Sequence, residues 1–343
     1  MSAPASAPPL LALVCNQKPL AVAGQVGPDD QWEEFDRPET IAALRNALQA
    51  CGYAVTVLEA DKTLPVELSH LAPQLVFNIA EGHSGRCREA LVPGLCELLG
   101  IAYTGSDALT LAAALDKTVA KRLVAHEVRA PLGWLIEGEA DIAALQRVQL
   151  PFPLITKPNA EGSSKGIDDS SRCSDLDQLL RDVRRLLAAY GPVLVEQFIA
   201  GTEVSVGLVG NGEPQITGMM QMLPAEGPNP DFIYSLQVKR DWRERVRYAV
   251  PPELPDGVCE RAAQAARAVF RLLGCRDVAR VDLRIDADGQ PWFIEANPLP
   301  GLDPVTSDLV ILSVGGGWTH ASLIARIVRE AENRAGLPHP VPA

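Results

Sequence analysis

Short apolar runs alternate with amphipathic stretches along the first third of the chain. Leu10 to Val14 is a continuous apolar run and reads as a buried strand. Pro38 to Cys51 places Ile41, Leu44, Ala47 and Leu48 on one face of a helix that Gly52 stops. Ala54 to Leu58 and Leu75 to Asn78 read as further strands, and Glu89 to Leu99 as a helix ended by Gly100. This β-α-β-α order predicts a parallel sheet with crossover helices. Asp116 to His126 is a further helix, and Pro131 closes the connection after it.

In the middle, a strand over Phe152 to Lys157 runs into a Gly/Ser-rich turn at Glu161 to Gly166. Asp175 to Ala189 carries an apolar stripe, Leu176, Leu179, Leu180, Val183, Leu186 and Leu187, at helical spacing. Strands follow at Val193 to Phe198, Val204 to Val209 and Ile216 to Met220, then a polar, Pro-rich loop from Pro224 to Arg245. Cys259 to Leu273 reads as a helix. Val278 to Ile285 and Pro291 to Glu295 form a hairpin around Asp288-Gly289. A helix over Ala321 to Arg334 and a Pro-rich tail close the chain.

The chain has 343 residues, 47% of them hydrophobic, enough for two or three domains with buried cores. Its net charge of −12, from 31 basic and 43 acidic residues, argues against a nucleic-acid or anionic-membrane surface. The cysteines at 15, 51, 87, 96, 173, 259 and 275 are odd in number and form no C-x-x-C, so neither a disulfide framework nor a zinc site is expected. Met1 to Pro9 lacks the basic start of a signal peptide, and no apolar stretch is long enough to span a bilayer. A cytoplasmic protein is the expectation.

The hairpin is the most informative chemical feature. Glu295 and Asn297 are two apart on one strand and project to the same face, and Asp282 on the other strand can meet them. Three oxygen donors among Val281, Leu283, Ile285, Trp292, Phe293 and Ile294 would be costly in a buried sheet without a cation, and magnesium suits such ligands. An exposed polar hairpin face is the alternative. Glu161-Gly162-Ser163-Ser164-Lys165-Gly166 after Lys157 can form a backbone nest for phosphate, although a plain surface turn fits the same residues. The strand end Glu196-Gln197-Phe198-Ile199 can read an adenine edge, with Glu203 near ribose hydroxyls, or it is only a strand entering a turn. His83, Cys87 and Cys96 lack zinc spacing, so His83 is read as an exposed loop residue and Gly315-Gly316-Gly317 as a flexible connection.

Taken in order, these motifs resemble the D-alanine–D-alanine ligases of the ATP-grasp superfamily. The resemblance is carried by Phe77-Asn78-Ile79 with Gly82, Tyr103-Thr104-Gly105-Ser106, Asp116-Lys117, Lys157-Pro158, the Glu161 to Gly166 loop, Glu196 with Gly201 and Glu203, Ala279 to Asp282, and Glu295-Ala296-Asn297 with Pro300-Gly301. It spans about residues 70 to 330. It implies an α/β (in part α+β) fold of three domains: an N-terminal parallel-sheet domain over 1–115, a central ATP-grasp domain over 116–195, a C-terminal ATP-grasp domain over 196–335, and a tail over 336–343. It implies that Lys117 and Lys157 contact ATP phosphates and that the Ser163-Ser164 loop closes over them, Ser163 also counting as catalytic. Glu196, Gln197 and Ile199 would form the adenine hinge, Glu203 would hold the ribose, and Lys239 would reach the phosphates from a mobile loop. Asp282, Glu295 and Asn297 would bind two magnesium ions, for which manganese can stand in. Arg280 and the Gly301 N–H would stabilise a tetrahedral oxyanion. The implied reaction is attack of a carboxylate on ATP, then attack of an amine on the acyl phosphate, with water excluded by a lid.

The pattern departs from the family where amino acids bind. The family's Gly-Gly-x-Ser-x-Glu-x-Glu segment is absent, and the region reads Asn16-Gln17-Lys18-Pro19, then Asp30 to Pro38. Its His-Gly is Glu81-Gly82, and the tyrosine after the mobile-loop lysine is Arg240. Its serine-leucine is not cleanly present, Thr306 and Ser307 being the nearest candidates. Glu81 can hold an amine or cationic substrate, or it is a solvated acid near a helix start. The expectation is therefore a ligase acting on small carboxylate and amine substrates, amino acids foremost, without nucleic-acid or membrane partners and compatible with a homodimer. A ligase using a non-amino-acid carboxylate or an activated oxygen, and an ATP-binding module without turnover, are the rivals.

Overall fold

The computed structural model describes residues 7–19 and 28–341. The extreme start and the last two residues of the tail lie outside it, as do residues 20–27 of the region lacking the family's substrate segment.

Apolar runs build the first sheet. Leu10–Cys15 (β1), Ala54–Glu59 (β2), Leu75–Asn78 (β3) and Ala102–Tyr103 (β4) pair in the order β2-β1-β3-β4, all parallel. Helices Pro38–Ala50 (α1), Leu64–Leu71 (α2) and Leu91–Leu99 (α3) connect them. Strand side chains alternate in direction, so Leu11 and Leu13 pack on Leu44 and Leu48 of α1, while Ala12 and Val14 pack on Leu68 and Cys96. Two short helices follow, Ala108–Leu115 (α4) and Lys117–Val124 (α5), capped by Asp107 and Asp116, whose carboxylates accept from backbone N–H groups three residues on.

The second sheet is antiparallel, in the order β5-β8-β6-β7. It comprises Gly133–Ile136 (β5), Leu154–Pro158 (β6), Arg172–Cys173 (β7) and Val193–Gln197 (β8), with helices Glu139–Leu145 (α6) and Leu176–Tyr190 (α7). Leu179, Val183 and Leu186 of the predicted stripe fill its core.

Thr202–Val209 (β9) and Gln215–Pro224 (β10) open the third region. The stretch expected to be a loop contains helices Leu236–Arg240 (α8) and Trp242–Arg245 (α9), followed by Val246–Ala249 (β11). Asp256–Leu273 (α10) leads to the hairpin Val278–Ile285 (β12) and Pro291–Asn297 (β13), then to Asp308–Gly315 (α11) and His320–Ala335 (α12). The antiparallel order is β11-β10-β9-β12-β13. Helix α10 covers one face through Ala262, Ala266 and Phe270, and Ala120 and Val124 of α5 join that core. Thus α5 packs on the third sheet, although it precedes the second in sequence.

Helix α11 lies on the other face, where Gly207 and Gly218 leave room for it. A Cβ on Gly218 would fall 2.0 Å from the Leu312 carbonyl oxygen, and one on Gly207 2.5 Å from the Leu312 side chain. The expectation of a flexible Gly315-Gly316-Gly317 connection is corrected here. Gly315 ends α11, and a Cβ on Gly316 would lie 2.0 Å from the Thr217 carbonyl oxygen. Gly315 and Gly316 thus permit close packing, and Gly317 takes a left-handed φ of 93° in the turn that follows. One apolar core runs from Leu13 and Phe77 through Leu323 and Ile327 of α12 to Met220 and Leu312, so the first and third sheets share an interior.

Candidate active site

The hairpin brings the predicted oxygen donors together. Asp282 is opposite Glu295 and Arg280 opposite Asn297, with a register shift just beyond Asp282. The buried Asp282 carboxylate accepts from Arg280 Nε (2.9 Å) and Nη2 (2.8 Å), from Ser205 Oγ (2.5 Å) on the neighbouring β9, and from Asn297 Nδ2 (3.1 Å). Glu295 meets the Lys117 ammonium at 3.3 Å and borders an open cavity. Burial raises its pKa, but Lys117, Lys239, Lys157 and Arg280 outweigh burial and hold it at about 2. Among the described residues no group of three or more His, Cys, Asp or Glu side chains is arranged for a metal. The donor set is instead two carboxylates and one amide, which suits an oxygen-preferring divalent cation.

Beneath this lies a buried ion cluster. Glu196, 1% exposed, pairs with Lys157 (2.5 Å) and with Lys121 (3.0 Å). Lys121 also donates to the carbonyls of Phe293 (3.0 Å) and Ile294 (2.9 Å), joining α5 to β13. Burial lowers Lys121 to about 8 against the opposing pull of Glu196. The Glu196 side chain is therefore a counter-ion beneath the lysines, and the strand end continuing through Gln197 to Ile199 faces the slot above. Lys121 was missed in the sequence. Its place one helical turn after Lys117 was the available signal.

In the loop after β6, Ser163 and Ser164 are consecutive left-handed residues, with φ of 49° and 58°. Such strain in non-glycine residues persists only where surroundings enforce it. Ser164 Oγ donates to the Tyr234 carbonyl (3.0 Å), Gly162 N–H to Glu34 (2.9 Å), and Gly166 N–H to Asp30 (3.0 Å). Lys165 bridges Glu34 and Glu161. The segment from Pro28 to Arg37 thus straps this loop to the first domain. It also holds Arg240 of α8 through Asp29 and Glu33, each at 3.1 Å. The neighbouring Lys239 ammonium lies 5.0 Å from the Tyr234 ring centroid.

Two connected spaces collect the predicted residues. A slot of about 70 Å³ between the second and third sheets is lined by Lys117, Lys157, Ser164, Glu196, Gln197, Ile199 and Glu203. A larger cavity of about 500 Å³ is lined by Glu81, Ser163, Lys239, Arg280 and Gly301, and by Thr306 and Ser307. Lys117, Glu161, Tyr234 and Glu295 border both, and Asn297 borders the larger one. Asp282 lies behind Arg280 rather than at either wall. Thr306 and Ser307 are tied to the Asp303 turn: Thr306 Oγ donates to the Asp303 carboxylate (2.9 Å), and Ser307 Oγ accepts from its N–H (2.8 Å). Glu203 faces Arg284 at 3.7 Å. His83 is exposed, as expected, with its ring 5.1 Å from that of Phe35.

Glu81 is a cavity-wall residue and not the freely solvated acid of the alternative reading. Burial, then repulsion from Glu89 and Glu34, raises it well above the carboxylate range. Burial raises Glu89 to about 8 despite Arg88. An acid whose folded pKa is raised stabilises the fold below its unfolded pKa, and that contribution is lost as pH rises through the folded value. The urea midpoint is thus expected to fall between about pH 4.5 and 8. Glu89→Gln should flatten the decline and raise stability at pH 8 by about 1–3 kcal/mol. An unchanged slope in that variant would exclude Glu89 as the titrating group.

Two antiparallel sheets that face each other across a lysine-lined slot, with carboxylates at its mouth, define the ATP-grasp class of ligases. The comparisons with known proteins agree. Residues 135–329 match the model of the D-ala D-ala ligase C-terminus. The D-alanine–D-alanine ligase of Desulforudis audaxviator is 32% identical over 292 residues, covering 84% of this chain and 91% of that one. The uncharacterised protein y4sG of Sinorhizobium fredii is 31% identical over 345 residues, covering 94% and 97%. In fold, the Bacillus anthracis D-alanine–D-alanine ligase solved with ATP aligns over 96% of this chain and 99% of its own, with a TM-score of 0.69 at 20% identity. The chain belongs to the D-alanine–D-alanine ligase family. No helix among the described residues is long and apolar enough to cross a membrane.

Proposed function

We propose that the chain is an ATP-dependent carboxylate–amine ligase that works through an acyl phosphate and joins substrates other than two D-alanines. The observation that carries this reading is the Lys117–Glu295 pair (3.3 Å) on the wall shared by slot and cavity, with Lys239 and Arg280 lining the larger cavity beside it. The slot would take the nucleotide, with Gln197 to Ile199 along the base. Lys117, Lys157 and Lys239 would neutralise charge spreading over the transferred phosphoryl group. Asp282, Glu295 and Asn297 would hold magnesium, two ions in all with manganese as a substitute, and the metal supplies further neutralisation of phosphate charge. The Arg280 guanidinium, aimed by Asp282 and Asp308 (3.6 Å), would face the oxyanion formed when the amine attacks, with the Gly301 N–H as second donor. The Ser163-Ser164 loop and the strap from Pro28 to Arg37 would keep water from the acyl phosphate.

The altered substrate follows from the wall of the larger cavity. Glu81 and Arg240 replace an imidazole and a phenol of the family, and Thr306 and Ser307 are already engaged by Asp303. The test is ADP release with pooled amino acids and MgATP, run with hydroxylamine to trap acyl phosphate as a hydroxamate. Hydroxamate that depends on ATP and on an amino acid is expected. No ADP and no hydroxamate with any carboxylate would leave only a nucleotide-binding module, and full activity on D-alanine alone would remove the altered-substrate part.

A further inference from the structure

In the cavity wall, Glu81 and Glu89 lack a cation of their own. Glu89 is 7% exposed, and its side chain makes no hydrogen bond among the described residues. The one basic atom within 4.0 Å is Arg88 Nη2, and that guanidinium is committed to both Glu34 oxygens at 2.9 Å and to the Ala160 carbonyl at 2.7 Å. Glu81 has neither a hydrogen bond nor an ion pair among the described residues, and both acids line the larger cavity. Lys165 lies between Glu34 and Glu161, and Lys117 faces Glu295. Arg88 and Lys165 are thus held by Glu34 and Glu161, and Lys117, which also acts on Glu89 across the cavity, is held by Glu295, so among the described residues neither Glu81 nor Glu89 has a cation within hydrogen-bond distance. Residues 20–27, outside the described structure, contain no basic side chain to fill the gap.

Ionising a largely buried acid without a partner is costly, so this pair is best matched by a cation that arrives from outside and lets it ionise. We infer that Glu81 and Glu89 form a subsite for the side-chain cation of a basic amino acid, a substrate bearing an ammonium or guanidinium besides its α-amino group. An amine held between two carboxylates stays protonated and has no lone pair to attack with. The subsite therefore recognises the substrate and does not supply the nucleophile. This inference rests on the ligase reading above and names its substrate class.

The experiment is calorimetric binding to the full chain saturated with magnesium and AMP-PNP. Both enantiomers of ornithine, lysine and arginine are compared with their neutral counterparts norvaline, norleucine and citrulline. At least one basic amino acid is expected to bind about tenfold or more tightly than its counterpart, the size of one charge-assisted hydrogen bond. In Glu89→Gln and Glu81→Gln the preference should shrink to about twofold or less, with AMP-PNP affinity kept as proof of folding. No basic amino acid preferred over its counterpart, or a preference that survives both substitutions, overturns the subsite. ADP release on the same panel separates the two ideas. Preference without ADP keeps the subsite and removes the ligase reading, while turnover of neutral amino acids without preference does the reverse.

Discussion

Glu295→Gln is expected to keep the fold and lose about a thousandfold in ADP release, the several kcal/mol that charge neutralisation of a phosphoryl group represents. The substitution preserves shape and removes one charge from a carboxylate bordering both slot and cavity, opposite Asp282 in the sheet. Stability should change little by comparison, in a definite direction. The folded pKa of about 2 lies below the ordinary 4.5, so ionised Glu295 stabilises the fold above pH 4.5 and this is lost as pH falls towards 2. The variant should be somewhat less stable at pH 7, with the deficit closing in acid. Circular dichroism, urea midpoints and ADP release on one preparation decide it. Near-parental turnover would refute the metal assignment, whereas an unfolded variant would refute the claim that the side chain serves chemistry more than folding.

Glu196→Leu should damage the fold itself. It strands Lys157 and Lys121 in a buried site, and removing one partner of such a pair costs about 3–5 kcal/mol. The Lys121 ammonium is already disfavoured by burial and keeps its charge with help from Glu196. Adding Lys121→Met should therefore recover part of the loss, since the double variant buries one fewer unpaired charge. Urea unfolding of the parent, the single and the double variant measures this. A loss under about 1 kcal/mol, the range of an exposed ion pair, would show that the pair is solvated. A double variant no more stable than the single would show that Lys121 is not the partner that matters. Nucleotide affinity should fall in both, because Lys157 loses the contact that aims it into the slot.

The two residues differ in how legible they were. Glu295 was readable because a strand's period of two puts Glu295 and Asn297 on one face; the loop, however, spans residues 286–290 rather than a two-residue turn, and the register shift beyond Asp282 sets that carboxylate opposite Glu295. Glu196 was readable only as a position. Its neighbours are Lys157 on the adjacent strand and Lys121 on a helix that packs from another part of the chain. No local spacing relates the three.

Helix α11 shows the same limit in the fold. Asp308 to Gly315 is a short apolar run of the kind that strand and helix both allow. It becomes a helix where Gly207 and Gly218 open space on the sheet for Leu312. Short helices α2, α4 and α6 were missed for a similar reason, since one or two turns carry too few residues for a clear apolar stripe.

By itself the sequence determined the parallel first sheet, the helical stripe of α7, the hairpin with its oxygen donors and the order of motifs that marks the family. These are set by periodicities and turns within a few tens of residues. The tertiary structure alone decided that Glu196 is a counter-ion, that Glu34 straps the glycine-rich loop, and that Glu81 and Glu89 share a cavity wall with no cation in hydrogen-bond contact among the described residues. Charge balance in a buried site depends on which distant segments meet there and on how far water is excluded, and neither is written in local spacing.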